Sequence, residues 1–244
     1  MRTIMMGMFK YAKKKGYTDI SISTFFSDLD ISKKAFTNKK RSNEEQVFSE
    51  DEIPLLVNYL WEHPDIINLG LLLTLYSGIR TAELSALKPA DISETSIHIC
   101  RQEITYKGDS ARENIHEIVD YTKTEAGDRK VILPPDAVAV VQKILEINPN
   151  GEFLIMRNNR RVWKNTFNDR LYSVCEAVGI PKRSMHKIRK TYATMLVDSG
   201  VDESLIMSQL GHSDIATTKR YYYYANKNQE HNIEQIANAV KFAV

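Results

Sequence analysis

Two stretches near the end of the chain decide how the rest is read: MHKIRKTYATML at residues 185–196 and LGHSDIATTKRYYYY at residues 210–224. In the first, Ile188, Tyr192, Met195 and Leu196 recur at helical spacing and form a core-facing stripe. His186 and Arg189 stand three residues apart on another face, in the first turn of that helix, where an anion is favoured. In the second stretch Gly211 ends a helix, His212 sits in the turn, and Ser213 or Asp214 can cap the next helix. Tyr221 follows His212 by nine residues. On a helix four consecutive tyrosines point about 100° apart, so at most one or two face a given site and the others pack.

Working outward, helical patterning covers residues 136–147, 163–178, 185–198, 202–210, 214–224 and 229–242. Upstream, Ser49-x-x-Glu52 is a capping-box pattern ahead of Ile53, Leu55, Leu56 and Leu60. Asp65–Tyr76 predicts an apolar helix ending at Ser77-Gly78, and Thr81–Leu87 a short one stopped by Pro89. Ile97, Ile99 and Cys100–Tyr106 look like strand. Ile118–Lys123 and Arg129–Leu133, flanking Glu125–Asp128, carry a β-hairpin signal. The expected fold class is mainly α with a small antiparallel β-sheet (α+β). Met1–Gly16 reads as an amphipathic helix whose apolar stripe has no partner before it, with Gly16 as its left-handed cap, and residues 17–48 read as a linker or loosely docked segment.

Composition narrows the class. The chain has 244 residues, of which 43% are hydrophobic and 26% charged, the balance of a folded globular protein. Its longest apolar run, Ile66–Ile79, is broken by Asn68, Thr74 and Ser77 and is too short to span a bilayer, so no membrane is expected. With no secretory signal pattern and only Cys100 and Cys175, neither a disulfide scaffold nor a thiolate metal site is expected, and a cytoplasmic setting fits. Charge is uneven. Residues 1–41 hold ten Lys/Arg, among them Lys13, Lys14, Lys15, Lys39, Lys40 and Arg41, against three Asp. Such a segment suits a polyanion such as DNA, or is simply a solvated Lys-rich helix end and linker.

Two further motifs combine basic residues with turns. In SGIRTAEL, residues 77–84, Arg80 lies between a helix-breaking Gly and the next helix start, a good place to bind a phosphate. Glu83 could orient that Arg or cap the helix. In YTKTEAGDRKVILP, residues 121–134, Lys123 sits at a strand end beside a turn, where it could be aimed into a cleft or serve as edge protection. Taken singly, each of these motifs is common.

Taken in order, Arg80, Lys123, His186-x-x-Arg189, Gly211-His212 and Tyr221 resemble the tyrosine recombinase (phage integrase) family over residues 49–226, most closely integrases of conjugative transposons and temperate phages. The resemblance implies that family's catalytic-domain fold and a reaction on double-stranded DNA through a covalent 3′-phosphotyrosyl link, with no metal or cofactor. It implies Tyr221 as nucleophile, Arg80 and Arg189 on the phosphate oxygens, Lys123 as general acid, and His186 and His212 as hydrogen-bond partners. Glu83 would support the Arg80 end, and Lys13, Lys14, Lys15, Lys39, Lys40 and Arg41 would touch DNA. A homo-tetramer on DNA is implied, with a monomer as the alternative for the isolated chain.

The expected organisation follows from the same resemblance. Residues 1–48 match the last helix of the family's core-binding domain plus a basic linker, as in an N-terminally truncated member. Residues 49–226 form the catalytic domain, and residues 227–244 a C-terminal helix that docks on a neighbouring protomer or on its own domain. With the stripe on residues 1–12 unpartnered, tight sequence-specific binding is expected to be weakened. A non-catalytic regulatory fragment and a type IB topoisomerase-like enzyme are the rival readings.

Overall fold

The structure, a computed structural model, describes residues 2–21, 24–25, 46–109 and 113–213. The chain divides into two compact units, residues 1–40 and 41–244. The expected helices at 214–224 and 229–242, the four tyrosines, Lys39, Lys40 and Arg41 lie outside the described residues.

In the first unit, α1 (Arg2–Lys14) ends with Lys13 and Lys14 in its last turn, where cations complement the helix dipole. Gly16 follows with φ +71, the left-handed cap that the sequence predicts. Ile4, Met8 and Tyr11 of this helix are exposed, and the Phe9 and Phe25 rings meet at 4.7 Å.

The second unit is built around α3 (Ile66–Ser77), in which nearly every residue is buried. Its start is fixed by Asp65, whose carboxylate accepts from Ile67 N and Asn68 N at 2.9 and 2.8 Å. α2 (Glu52–Glu62) begins with the expected capping box: Ser49 N donates to Glu52 Oε2 at 2.8 Å and Glu52 N to Ser49 Oγ at 3.3 Å. Just ahead of it Phe48 is fully buried, and its N–H donates to Thr191 Oγ1 at 2.8 Å. The helix after α3, α4 (Thr81–Leu84), is shorter than Thr81–Leu87, although Ala86 and Leu87 are still buried.

Against α3 pack α5 (Pro135–Ile147), α6 (Lys164–Ala177) and α7 (Met185–Asp198), and α8 (Glu203–Leu210) packs on α7. Each lies within one or two residues of its expected span. On α7, Ile188 and Tyr192 are buried and Leu196 packs in a small cluster with Ile206 and Leu210. Met195 departs from the expected stripe and is 38% exposed, whereas Thr191, Ala193 and Thr194, outside that stripe, are fully buried.

The strands depart further from expectation. Three small antiparallel sheets form among the described residues instead of one. β1 (Ile92–Ser93), β2 (Ser96–Ile99) and β5 (Arg129–Ile132) make the first, β3 (Gln102–Lys107) and β4 (Asn114–Val119) the second. β6 (Met156–Arg157) and β7 (Arg160–Arg161) make the third. The hairpin expected between Ile118–Lys123 and Arg129–Leu133 is therefore replaced: β4 turns back onto β3, and β5 pairs with β2. Burial explains the choice. Ile97 opposes Val131 and both are fully buried, so β5 gains a core by joining β2, whereas the outer half of β4 has none to offer. No helix of the described residues is long and apolar enough to cross a membrane.

Candidate active site

The site grows from a buried carboxylate. Glu83, 3% exposed, sits in the third position of α4 and binds both ends of Arg80: its Oε2 accepts from Arg80 N at 2.8 Å and its Oε1 from Arg80 Nη1 at 2.7 Å. It thus does both things left open by sequence, capping the helix and orienting the arginine. From the opposite side Arg129, at the start of β5, donates to Oε1 and Oε2 at 3.1 and 2.9 Å. Burial alone would push this carboxyl up, but Arg129, with Arg80 and Arg189 behind it, brings its pKa down to about 2.

Arg129 also ties together segments distant in sequence. Its Nε donates to Gln209 O and its Nη1 to Gly127 O, both at 2.9 Å, which joins β5, the end of α8 and the turn after Lys123. Gly211 completes this junction. It has φ +59, and a Cβ there would stand 2.7 Å from Ala126 O and 2.9 Å from Arg129 Cδ.

Arg189 on α7 is 3% exposed and bridges two helix C-termini. Its Nη1 donates to Gly78 O, the cap of α3, at 2.6 Å, and its Nη2 to Leu210 O, the end of α8. Both ends carry partial negative charge, which holds a buried guanidinium in place. Gly78 must be glycine: φ is +64, and a Cβ would meet the Tyr192 ring at 2.2 Å. Arg80 Nη2 in turn donates to Gly211 O at 3.2 Å. The two arginines are therefore aimed by main-chain carbonyls of two glycine-marked helix ends.

His212 lies beside them, with its Nε2 3.4 Å from Arg189 Nη2. Guanidinium can only donate, so Nε2 accepts and the ring proton resides on Nδ1. Burial, then the charges of Arg189, Arg80, Arg129 and His186, holds its pKa down at about 4. His186, in the first turn of α7, is likewise lowered by burial and by Lys190, Arg189, Lys187 and Arg80. Both imidazoles are neutral near pH 7, able to donate to or accept from a phosphate or a phenol.

Arg80, His186 and Arg189 line one cavity of about 360 Å³, which also includes Lys164 and Asn165 at the start of α6. Of the residues picked from sequence, Arg80, Glu83, His186, Arg189 and His212 come together here. Lys123 is exposed in the loop leading to the Glu125–Gly127 turn, outside this hydrogen-bonded cluster. Lys13, Lys14 and Lys15 are exposed on the first unit. Tyr221 lies outside the described residues. Arg129 and Lys164 escaped the sequence reading. The first had a signal, since it is one residue from the turn after Lys123; the second, a lone Lys at a helix start, had none. Among the described residues no group of His, Cys, Asp and Glu could hold a metal ion.

Comparison with known proteins places this arrangement. The model of the phage integrase family matches residues 46–229. A tyrosine recombinase of Thermosipho africanus is 23% identical over 223 residues, spanning 86% of this chain and 71% of the relative. Tyrosine recombinase XerD of Oceanobacillus iheyensis is 25% identical over 238 residues, spanning 90% and 76%. Among solved structures, the Tn1549 transposon integrase in complex with transposon right end DNA is similar with a TM-score of 0.65 at 16% identity, over 95% of this chain and 84% of that one. XerA recombinase is similar with a TM-score of 0.63 at 22% identity, over 98% and 83%. These likenesses show the expected α+β fold. With three guanidinium groups gathered on one buried carboxylate beside two neutral imidazoles, and a family match across most of its length, the chain belongs to the phage integrase family, the tyrosine recombinases, enzymes that break and rejoin DNA.

Proposed function

We propose that this chain is a site-specific recombinase that cuts and reseals duplex DNA through a 3′-phosphotyrosyl link at Tyr221, in the integration or excision of a mobile element. The Tyr221 oxygen attacks the scissile phosphorus, the bond from phosphorus to the 5′-oxygen breaks, and the phenolic proton is lost. Lys123 protonates the departing 5′-oxygen, an effect of roughly 10² to 10⁴ in rate. A phenol with a pKa near 10 needs neighbouring positive charge to react at neutral pH. Arg80 and Arg189 supply it and hold the non-bridging oxygens, each worth on the order of 3 to 4 kcal/mol. Neutral His212 donates through Nδ1–H, and His186 serves the incoming phenol or the phosphate. The phosphotyrosine conserves the bond energy, so a 5′-hydroxyl of another duplex reverses the step and strands are exchanged.

The observation that carries this reading is the convergence of Arg80, His186 and Arg189 on one cavity beside His212. A solved neighbour named above adds weight: the Tn1549 integrase is described in complex with transposon right end DNA. In the same reading, residues 49–226 are the catalytic domain, residues 1–48 a core-binding helix and basic linker, and residues 227–244 a docking helix of an assembly of identical chains on DNA. Lys13, Lys14, Lys15, Lys39, Lys40 and Arg41 follow the DNA backbone. The test is a suicide duplex, drawn from the DNA flanking the gene and nicked beside the cleavage point. The wild type and the Phe variants of Tyr222, Tyr223 and Tyr224 should trap a covalent adduct that Tyr221→Phe does not. An adduct that survives Tyr221→Phe refutes the assignment, and no adduct with any chain refutes the activity.

A further inference from the structure

The β6–β7 hairpin carries a charge arrangement that the reaction above does not use. Its two residue pairs are Met156 with Arg161 and Arg157 with Arg160. Asn158 and Asn159 close it with φ of +53 and +57, the left-handed pair of a tight two-residue turn. Arg157 and Arg160 are thereby fixed directly across from each other at an exposed tip. Like charges so placed destabilise a strand pair.

Nothing acidic nearby relieves them among the described residues. Arg157 shares a cavity of about 630 Å³ with Asp65, but that carboxylate is already bound by Arg170 and by the N–H groups that begin α3. The next arginine, Arg161, is bound to the buried Glu103. Contrast within one short stretch is therefore sharp: Arg161 is neutralised inside the protein, while Arg157 and Arg160 face outward together.

The surroundings say what would neutralise them. Arg157, Arg160, Arg161 and Trp163 line a second groove of about 250 Å³. Trp163 is 52% exposed and its ring stacks on His116 at 4.3 Å. The next residue, Lys164, lines the cavity of Arg80, His186 and Arg189. Cationic groups thus run from the hairpin tip to the reaction site, which suits a polyanion lying across both.

We infer that the Arg157–Arg160 tip is a phosphate clamp for the DNA duplex flanking the cleavage point. The inference rests on the recombinase reading and adds a binding surface on the catalytic unit, separate from the basic residues of the first 41. Its test is a salt titration of binding to a fluorescein-labelled random 40-base-pair duplex. For Arg157→Gln/Arg160→Gln the slope of log affinity against log salt should fall by about 1.8, at about 0.9 for each phosphate that is no longer neutralised. Affinity at physiological salt should fall about tenfold. Arg157→Lys/Arg160→Lys should keep the slope, and Lys143→Gln, a paired surface lysine on α5, should leave it unchanged. Thermal unfolding of the Gln double variant should be no lower than that of the wild type, since a repulsion has been removed. A wild-type slope in the Gln double variant overturns the inference and leaves the recombinase reading standing. Failure of the wild type to bind duplex at all overturns both.

Discussion

Two buried glutamates organise this molecule, and they do different work. Glu83 and Glu103 are 3% and 2% exposed, and each is tied to basic side chains from distant segments. Glu103, on β3, receives His116 at 2.9 Å, Arg161, and the backbone N–H of Lys164 at 3.3 Å, which fastens the β3–β4 hairpin to the start of α6. There a single guanidinium meets a single carboxylate. Glu83 meets Arg80 and Arg129 directly and feels Arg189 as well. Three positive charges around one negative leave a surplus of two, concentrated beside a cavity. A balanced cluster holds structure together; an overcharged one is waiting for an anion. That surplus beside the cavity is what supports the phosphate site proposed above.

The comparison can be broken in several ways. Glu83→Gln should have the largest effect, because it leaves Arg129 buried without its charge partner. A loss of about 3 to 5 kcal/mol of stability is expected, read by chemical denaturation. Arg189→Lys should follow, since an ammonium cannot hold two carbonyls and two phosphate oxygens in one plane. Adduct formation in a single turnover should slow by about 10² to 10³, roughly 3 to 4 kcal/mol, with the fold retained. An undiminished rate would remove Arg189 from the phosphate site.

Glu103→Gln should cost about 2 to 3 kcal/mol of stability and leave adduct formation per folded molecule within about twofold. A rate loss as large as that of Arg189→Lys would erase the distinction between the two clusters. The remaining test is with pH, and both groups act in the same direction. His212 has a pKa of about 4 against an ordinary 6.5, so between those values the unfolded chain holds a proton that the native one refuses. Glu83 titrates at about 2 against an ordinary 4.5, so its contribution is present above the ordinary value and is lost as pH falls through that lower window. Stability should therefore decline on acidification from 6.5, with a His212 NMR titration midpoint near 4 in the DNA-free protein. A midpoint at the ordinary value would show that the surplus charge is not felt there.

Much of this was legible in the residues, for local reasons. Gly78 and Gly211 mark the helix ends that they form, and the Ser49/Glu52 pair caps α2, because caps and left-handed turns are decided within a few residues. Arg80, Glu83, His186, Arg189 and His212 could be picked out since each sits beside such a marker. Strand pairing was misread because turn residues at 125–128 suit a hairpin, and only the burial of Ile97 against Val131 shows that β5 belongs with β2. Arg129 was missed for a related reason: its partners, Glu83 and Gln209, are 46 and 80 residues away, so nothing local pairs it with them. The β6–β7 tip was passed over because RNNR looks ordinary until its two arginines are seen to face each other.

Arg80 and Arg189 are gripped by oxygen atoms that every amino acid possesses: Gly78 and Leu210 hold Arg189, and Gly211 holds Arg80. Exchanging neighbouring side chains does not take those acceptors away. Distant descendants can therefore drift until little of their text agrees and still keep the same grip, provided two positions never acquire a β-carbon. The posture of two guanidinium groups is thus written in the main chain and not in the side chains that surround it.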